Sequence, residues 1–288
     1  MQAQKRVLAI HDISCVGKCS LTVALPVLSA AGLECSVLPT AVLSTHTGGF
    51  TGYTFRDLTT DIEPICRHWK TLNLHFDSIY TGYLGSFEQL ELVGGIFDSL
   101  ASDDTLRVVD PVMGDNGKLY PLFDQAFAKG MAGLCAKADL IVPNLTEAAY
   151  MLGEEYIEGP YTVDYLEGVM RRLGEMGPKQ VVLTGVNFDD QHLGAAVYDR
   201  ITGKVEYAME DKIEGYYHGT GDVFASALVG AILNGLSLRD AAQAAVDFTV
   251  ASIRRTRDAG TDIRFGVNFE ASLPGYMEGI GCIDRSLG

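Results

Sequence analysis

Short apolar runs that stop abruptly at polar residues alternate along this chain with longer stretches of helical periodicity, and that rhythm restricts the architecture. Val7-Leu8-Ala9-Ile10 ends in His11-Asp12, Ile79-Tyr80 in Thr81-Gly82-Tyr83, and Val108-Val109 in Asp110-Pro111. Leu140-Ile141-Val142 ends in Pro143-Asn144, and Val181-Val182-Leu183 in Thr184-Gly185. The spacing of apolar residues between them predicts helices over 20–31, 86–100, 123–137, 146–152 and 163–176, with Gly32, Gly153 and Gly177 as stops. Strand alternating with helix is the pattern of an α/β fold whose parallel strands are joined by crossover helices. Residues that follow such strands gather along one sheet edge, where open α/β sheets bind ligands. Asp12, Tyr83, Asp110, Asn144 and Thr184 are therefore the expected cleft residues.

The last third has a different pattern. The runs 194–198 and 205–208 flank a polar turn and read as an antiparallel hairpin, followed by Ala-rich helices over about 222–234 and 238–256. No linker, repeat or low-complexity segment interrupts the 288 residues, so a single domain, 1–288, is expected. The segment 35–56 alternates and then breaks at Gly48, Gly49 and Gly52, as a small lid would, although ordinary tight turns read the same way. A net charge of −15 without clustered Lys or Arg argues against nucleic acid. The six cysteines form no CxxC pair, which fits reduced thiols and not metal ligands or disulfides. Only four apolar residues follow the basic pair Lys5-Arg6 before His11, and no apolar run reaches membrane-spanning length, so a cytoplasmic protein is expected.

Chemistry concentrates at His218-Gly219-Thr220-Gly221-Asp222, just before the apolar stretch that begins at Val223. The amides of Gly219, Thr220 and Gly221 would lie unpaired at a helix N-terminus, an anion site, with a carboxylate beside them. Such a carboxylate repels a phosphate but suits a base acting on an alcohol that attacks one, which points to phosphoryl transfer. The same residues also fit a glycine-bounded helix start whose acid merely favours the dipole. Two decoys fall away. Gly17-Lys18-Cys19-Ser20 lacks the first glycine and the Ser or Thr that must follow the lysine of a P-loop, and Phe224 stands where a dinucleotide fingerprint needs its third glycine.

Gly219-Thr220-Gly221-Asp222, Asp110-Pro111-Val112-Met113-Gly114-Asp115 and Pro143-Asn144-Leu145-Thr146-Glu147 together resemble the signatures of the ribokinase-like superfamily, specifically its vitamin B6 kinases. Ser44-Thr45-His46-Thr47-Gly48 and Thr81-Gly82-Tyr83-Leu84-Gly85-Ser86 are similar to the segments that pyridoxal kinases use around the pyridine ring, and the match is collinear from about Val7 to Thr256. The resemblance implies a three-layer αβα fold with a mostly parallel central sheet. It also implies ATP-dependent phosphorylation of the 5′-hydroxymethyl group of pyridoxal, pyridoxamine or pyridoxine, with Mg2+ and, by extension, a monovalent cation such as K+. A hydroxymethylpyrimidine kinase of the same fold, or a B6-binding protein without catalysis, are the alternatives.

By the same resemblance, Asp222 is the base, ionised at the helix N-terminus, and Gly219, Thr220 and Gly221 form the anion hole. Asp110, Asp115, Asn144, Glu147 and Thr184 fall near the ATP phosphates, with Asp110 and Glu147 toward the metal; Glu147 also fits a capping-box acid, Asp115 a turn and Thr184 a strand end. Thr47 and Tyr83 match positions around the pyridine ring, and His46 is either an anchor behind them or a loop residue. Asp12 departs from the serine of many pyridoxal kinases and is expected to favour a cationic ligand, the pyridinium or the aminomethyl group of pyridoxamine. Cys15 is expected to be a buried, inert thiol. Relatives commonly pair as homodimers, so a homodimer binding a B6 vitamer and ATP, with no nucleic acid or membrane partner, is expected.

Overall fold

A computed structural model describes residues 4–283. In chain order its elements are β1 (Arg6–Ser14), α1 (Leu21–Ala30), β2 (Glu34–Leu43), β3 (Phe55–Asp57), α2 (Thr59–Lys70), β4 (Ser78–Thr81), α3 (Phe87–Leu100) and β5 (Leu106–Val109). There follow β6 (Gly114–Asp115), β7 (Lys118–Leu119), α4 (Gln125–Cys135), β8 (Leu140–Ile141), α5 (Leu145–Leu152), α6 (Val163–Glu175) and β9 (Gln180–Val186). The chain continues through β10 (His192–Asp199), β11 (Lys204–Asp211), α7 (Thr220–Leu233), α8 (Leu238–Asp258) and α9 (Leu273–Gly279). These group into two compact units, one of residues up to Ile62 and from Lys212 onward, the other of Glu63–Asp211.

In the first unit β1 pairs with β2 in parallel, and the register breaks between His11 and Ile13, at Asp12. Val7 to Ile10 are buried on both faces, as a parallel strand requires. Across the break one residue of β1, Asp12, stands opposite two of β2, Thr40 and Ala41, so the extra residue of the bulge lies in β2. Short β3 lies antiparallel on β2. Helix α7 is buried almost all round, from Val223 to Ala231, because it packs against both α8 and α1. Of the expected lid, residues 35–43 belong to β2, whose apolar residues Leu38, Ala41 and Leu43 are buried, so only 44–54 remain irregular.

The second unit carries β4, β5, β8 and β9 as parallel neighbours, with β10 and β11 antiparallel beyond them. The predicted hairpin is β10 and β11, and its strands run longer than the apolar residues suggest because the backbone ladder continues to His192 and Asp211. Helix α6 buries Leu166, Val169, Met170 and Leu173, one face at helical spacing, as its periodicity predicts. The expected helix over 123–137 is shorter because the Asp124 side chain accepts from the Phe127 N–H at 2.8 Å and starts α4 at Gln125. Helix α2 has no counterpart in the sequence reading: Pro64 lies inside it, where proline usually signals a break. No helix among the described residues is long and apolar enough to cross a membrane.

Candidate active site

In the first unit the GTGD segment opens α7. Gly219 is the N-cap residue in a left-handed conformation, φ 75°, and the helix has no side-chain cap, so the first-turn amides point outward unpaired by the helix itself. The glycine is required twice over. Its φ disfavours any side chain, and a Cβ there would lie 2.0 Å from the Lys18 carbonyl oxygen. Thr220 fixes the turn from the other side, its hydroxyl donating to the Tyr217 carbonyl at 3.2 Å.

Asp222 stands in the first turn of α7, with the backbone N–H of Ser20 near enough to act on its carboxyl. Its carboxyl is pushed up to about 7, first by burial and then by the charge of Asp12, against the lowering effect of the Ser20 N–H. The expectation that the helix N-terminus keeps this acid ionised is thus corrected. A macrodipole effect fades within a turn and is modest, whereas desolvation beside a second carboxylate is larger. Asp12 is itself buried, with its two oxygens accepting the Ser20 hydroxyl at 2.6 Å and the Ser14 hydroxyl at 3.1 Å. Burial raises its pKa, and those hydroxyls oppose the rise. The Cys19 thiol is held neutral by burial and by the charges of Asp222 and Asp12. Cys15, expected to be buried, is exposed: it follows β1 at a bend tied only through its backbone to Leu43.

His46 is buried and both ring nitrogens are engaged. Nδ1 accepts the Gly48 N–H at 3.1 Å, so Nε2 is the donor to the Arg264 carbonyl at 2.6 Å. Its ring lies 5.2 Å from that of His218, the residue before Gly219, and a Cβ on Gly48 would meet the His218 ring at 2.7 Å. The segment bearing Thr47, itself exposed, is in this way docked on the loop that leads into the anion hole. His218 titrates below its ordinary range because it is partly buried and faces His46. Neither His218 nor Ser20 is assigned a role by the motifs; the signal for both was adjacency to glycine-rich turns.

In the second unit Asn144 caps α5 and Glu147 closes a capping box. Asn144 Oδ1 accepts the Glu147 N–H at 2.9 Å, and Glu147 Oε2 accepts the Asn144 N–H at 2.8 Å. Its other oxygen accepts the Met113 N–H at 3.1 Å, so Glu147 also ties the strand end after Asp110 to α5. Burial pushes Glu147 up to about 8, with Asp115 adding repulsion and the backbone donors opposing it. Asp110 is buried, Asp115 half-buried, and both Asp110 and Glu147 bear on the buried Cys135 thiol, which burial raises. Asp115 also makes the turn expected of it, accepting the Asn116 N–H at 2.8 Å. Asn144 and Thr184 are bridged in parallel register. Tyr83 lies 5.6 Å from Phe123, at one end of a stack that continues to Phe127 at 4.2 Å. Among the described residues no group of three or more His, Cys, Asp or Glu converges as a metal cage.

Comparison with known proteins places this architecture. A candidate phosphomethylpyrimidine kinase of Bacteroides thetaiotaomicron superposes with a TM-score of 0.92 at 39% identity, covering 95% of this chain and 94% of that one. A second crystal form of it contains pyridoxal. A pyridoxal kinase of Lactobacillus plantarum gives a TM-score of 0.87 at 34% identity, over 95% and 97% of the two chains. In sequence, the pyridoxine kinase of Bacillus subtilis is 30% identical over 62% of this chain, which spans 65% of that protein's length. Fold and site together define an enzyme, a kinase of the ribokinase-like α/β class with a mostly parallel central sheet flanked by helices. More narrowly, the chain belongs to the phosphomethylpyrimidine kinase family, whose model matches residues 26–266.

Proposed function

We propose that this chain uses ATP to phosphorylate the 5′-hydroxymethyl group of pyridoxal, pyridoxamine or pyridoxine. The observation that carries the reading is the start of α7, where unpaired amides of Gly219, Thr220 and Gly221 adjoin a carboxyl titrating near 7. Those amides suit the charge that develops on a transferred phosphoryl group. Asp222 suits the alcohol: in a loose transition state the hydroxyl becomes acidic late, and a base matched to neutral pH then takes its proton. Pyridoxal in the crystal of the Bacteroides relative and the names of the Lactobacillus and Bacillus relatives support a B6 vitamer as acceptor. The family description, phosphomethylpyrimidine kinase, favours a second reading, a substituted pyrimidine as acceptor.

Asp110, Asp115, Asn144, Glu147 and Thr184 are assigned to the ATP phosphates, and Thr47, Tyr83 and His46 to the vitamer's side. The oxygen-only set of Asp110 and Glu147 suits Mg2+, which usually keeps several waters instead of a full protein cage. When bound, Mg2+ would neutralise charge on the phosphates. The proposal extends to a homodimer in the cytoplasm and to stimulation by K+.

The test is turnover of ATP with each vitamer and with hydroxymethylpyrimidine, in parallel. B6 turnover that exceeds pyrimidine turnover is expected; the reverse selects the second reading, and none at all leaves a binding protein. Asp222→Asn should retain ligand binding and lower kcat by about 10²–10⁴-fold. Asp12→Ser should weaken any preference for pyridoxamine over pyridoxal, and an unchanged ratio removes the cationic-ligand role of Asp12.

A further inference from the structure

Ser20 stands where a serine normally caps a helix, immediately before α1, yet its side chain makes no cap hydrogen bond. The hydroxyl turns instead to Asp12, at 2.6 Å from Oδ1, and is buried there. The backbone is unusual too, with φ 56° and ψ −130°, a region that residues with a Cβ rarely occupy. In that conformation its N–H is near enough to Asp222 to lower that carboxyl's pKa. The carbonyl still serves α1, accepting from Val23 at 3.0 Å and Ala24 at 2.9 Å, and an isolated antiparallel bridge joins Ser20 to Ile13 beside Asp12. A forgone cap and a strained backbone at one residue, both turned toward carboxylates, are hard to explain by α1 alone.

We propose that Ser20 is a positioning residue for phosphoryl transfer, its hydroxyl holding the Asp12 carboxylate, in charged form, beside Asp222. The inference rests on Asp222 as the base. Its physical content is a coupling. Two acids that share a buried corner repel, and the one that is better supplied with donors keeps its charge and makes the other hold its proton more tightly. Ser20 and Ser14 donate their hydroxyls to Asp12 at 2.6 and 3.1 Å, whereas Asp222 faces the Ser20 backbone N–H. The other titratable groups facing the pair are Cys19, which is neutral, and His46, whose Nδ1 accepts the Gly48 N–H. Ser20 thereby tunes when the base is available without touching the substrate.

The experiment is the pH profile of kcat/KM for the wild type, Ser20→Gly, Ser20→Ala and Asp222→Asn. Glycine suits the backbone angles and alanine does not, but both lack the hydroxyl. Loss of the hydroxyl lets Asp12 take up a proton more easily and relieves Asp222, so in both variants the acid limb should move down from near pH 7 by about half a unit to one unit. The Ser20→Gly profile carries the test if Ser20→Ala folds poorly, as thermal melts will show. A limb that stays in place in Ser20→Gly, with or without a lower kcat, overturns the proposal. An Asp222→Asn enzyme that keeps the wild-type limb overturns the base assignment instead, so the two failures are distinguishable.

Discussion

At Asp222 burial and a neighbouring charge outweigh the helix terminus, and the outcome is a carboxyl that changes state near neutrality. As a base it must be deprotonated, so kcat/KM is expected to climb tenfold per pH unit below about 7 and to level off above it. A flat profile from pH 5.5 to 8 would remove Asp222 from the rate equation. The role of a carboxylate in the GTGD motif is legible from residue types alone, because an acid beside unpaired amides has few uses. Its proton affinity is not legible, since the dominant perturbation is the exclusion of water after folding, to which the charge of Asp12 adds. Glu147 makes the same point in the second unit. Its place in a capping box follows from the Asn-x-x-Glu spacing, but the third tie, to Met113, depends on how α5 meets the end of β5.

Elements place these residues, and two substitutions test that placement. Asn144→Ala removes the cap of α5 and leaves the Glu147 N–H without its acceptor, and should lower unfolding free energy by about 1–2 kcal/mol in urea titrations. A loss below about 0.3 kcal/mol would mean that packing, not capping, holds the helix start. Gly219→Ala forces a Cβ against the Lys18 carbonyl at a left-handed residue, so the loop must move. Turnover should fall by more than tenfold while the melting temperature drops by a few degrees, about 1–3 kcal/mol of strain. Equal activity would show that the anion hole tolerates displacement. Helix α2 and the strand half of the expected lid escaped the sequence reading for opposite reasons. Pro64 reads as a breaker inside a real helix, while Gly48, Gly49 and Gly52 made the whole of 35–56 look loose although β2 extends to Leu43.

For the molecule as a whole, the buried groups set a pH dependence of stability with opposing parts. His11 is fully buried and its pKa falls to about 3 through desolvation, so unfolding raises its proton affinity. Its contribution is present above pH 6.5 and is lost as pH falls toward 3, by linkage up to about 5 kcal/mol. Asp222 acts the other way: with a raised pKa it favours the folded state below about pH 4 and loses that contribution as pH rises through about 7. Urea titrations across this range should show a shallower acid loss in His11→Asn and a shallower neutral loss in Asp222→Asn. Identical slopes in wild type and variants would contradict both assignments.

The sequence by itself determined the alternation of strands and helices, the candidate polar residues at the strand ends and the amide-rich start of α7. Periodicity, caps and glycine turns are properties of near neighbours and are written locally. Only tertiary structure decided which acids lose water, that Ser20 serves Asp12 instead of capping α1, and that Cys15 lies exposed. Desolvation and Coulomb repulsion act between groups far apart in the chain, and they come into being when folding brings those groups together.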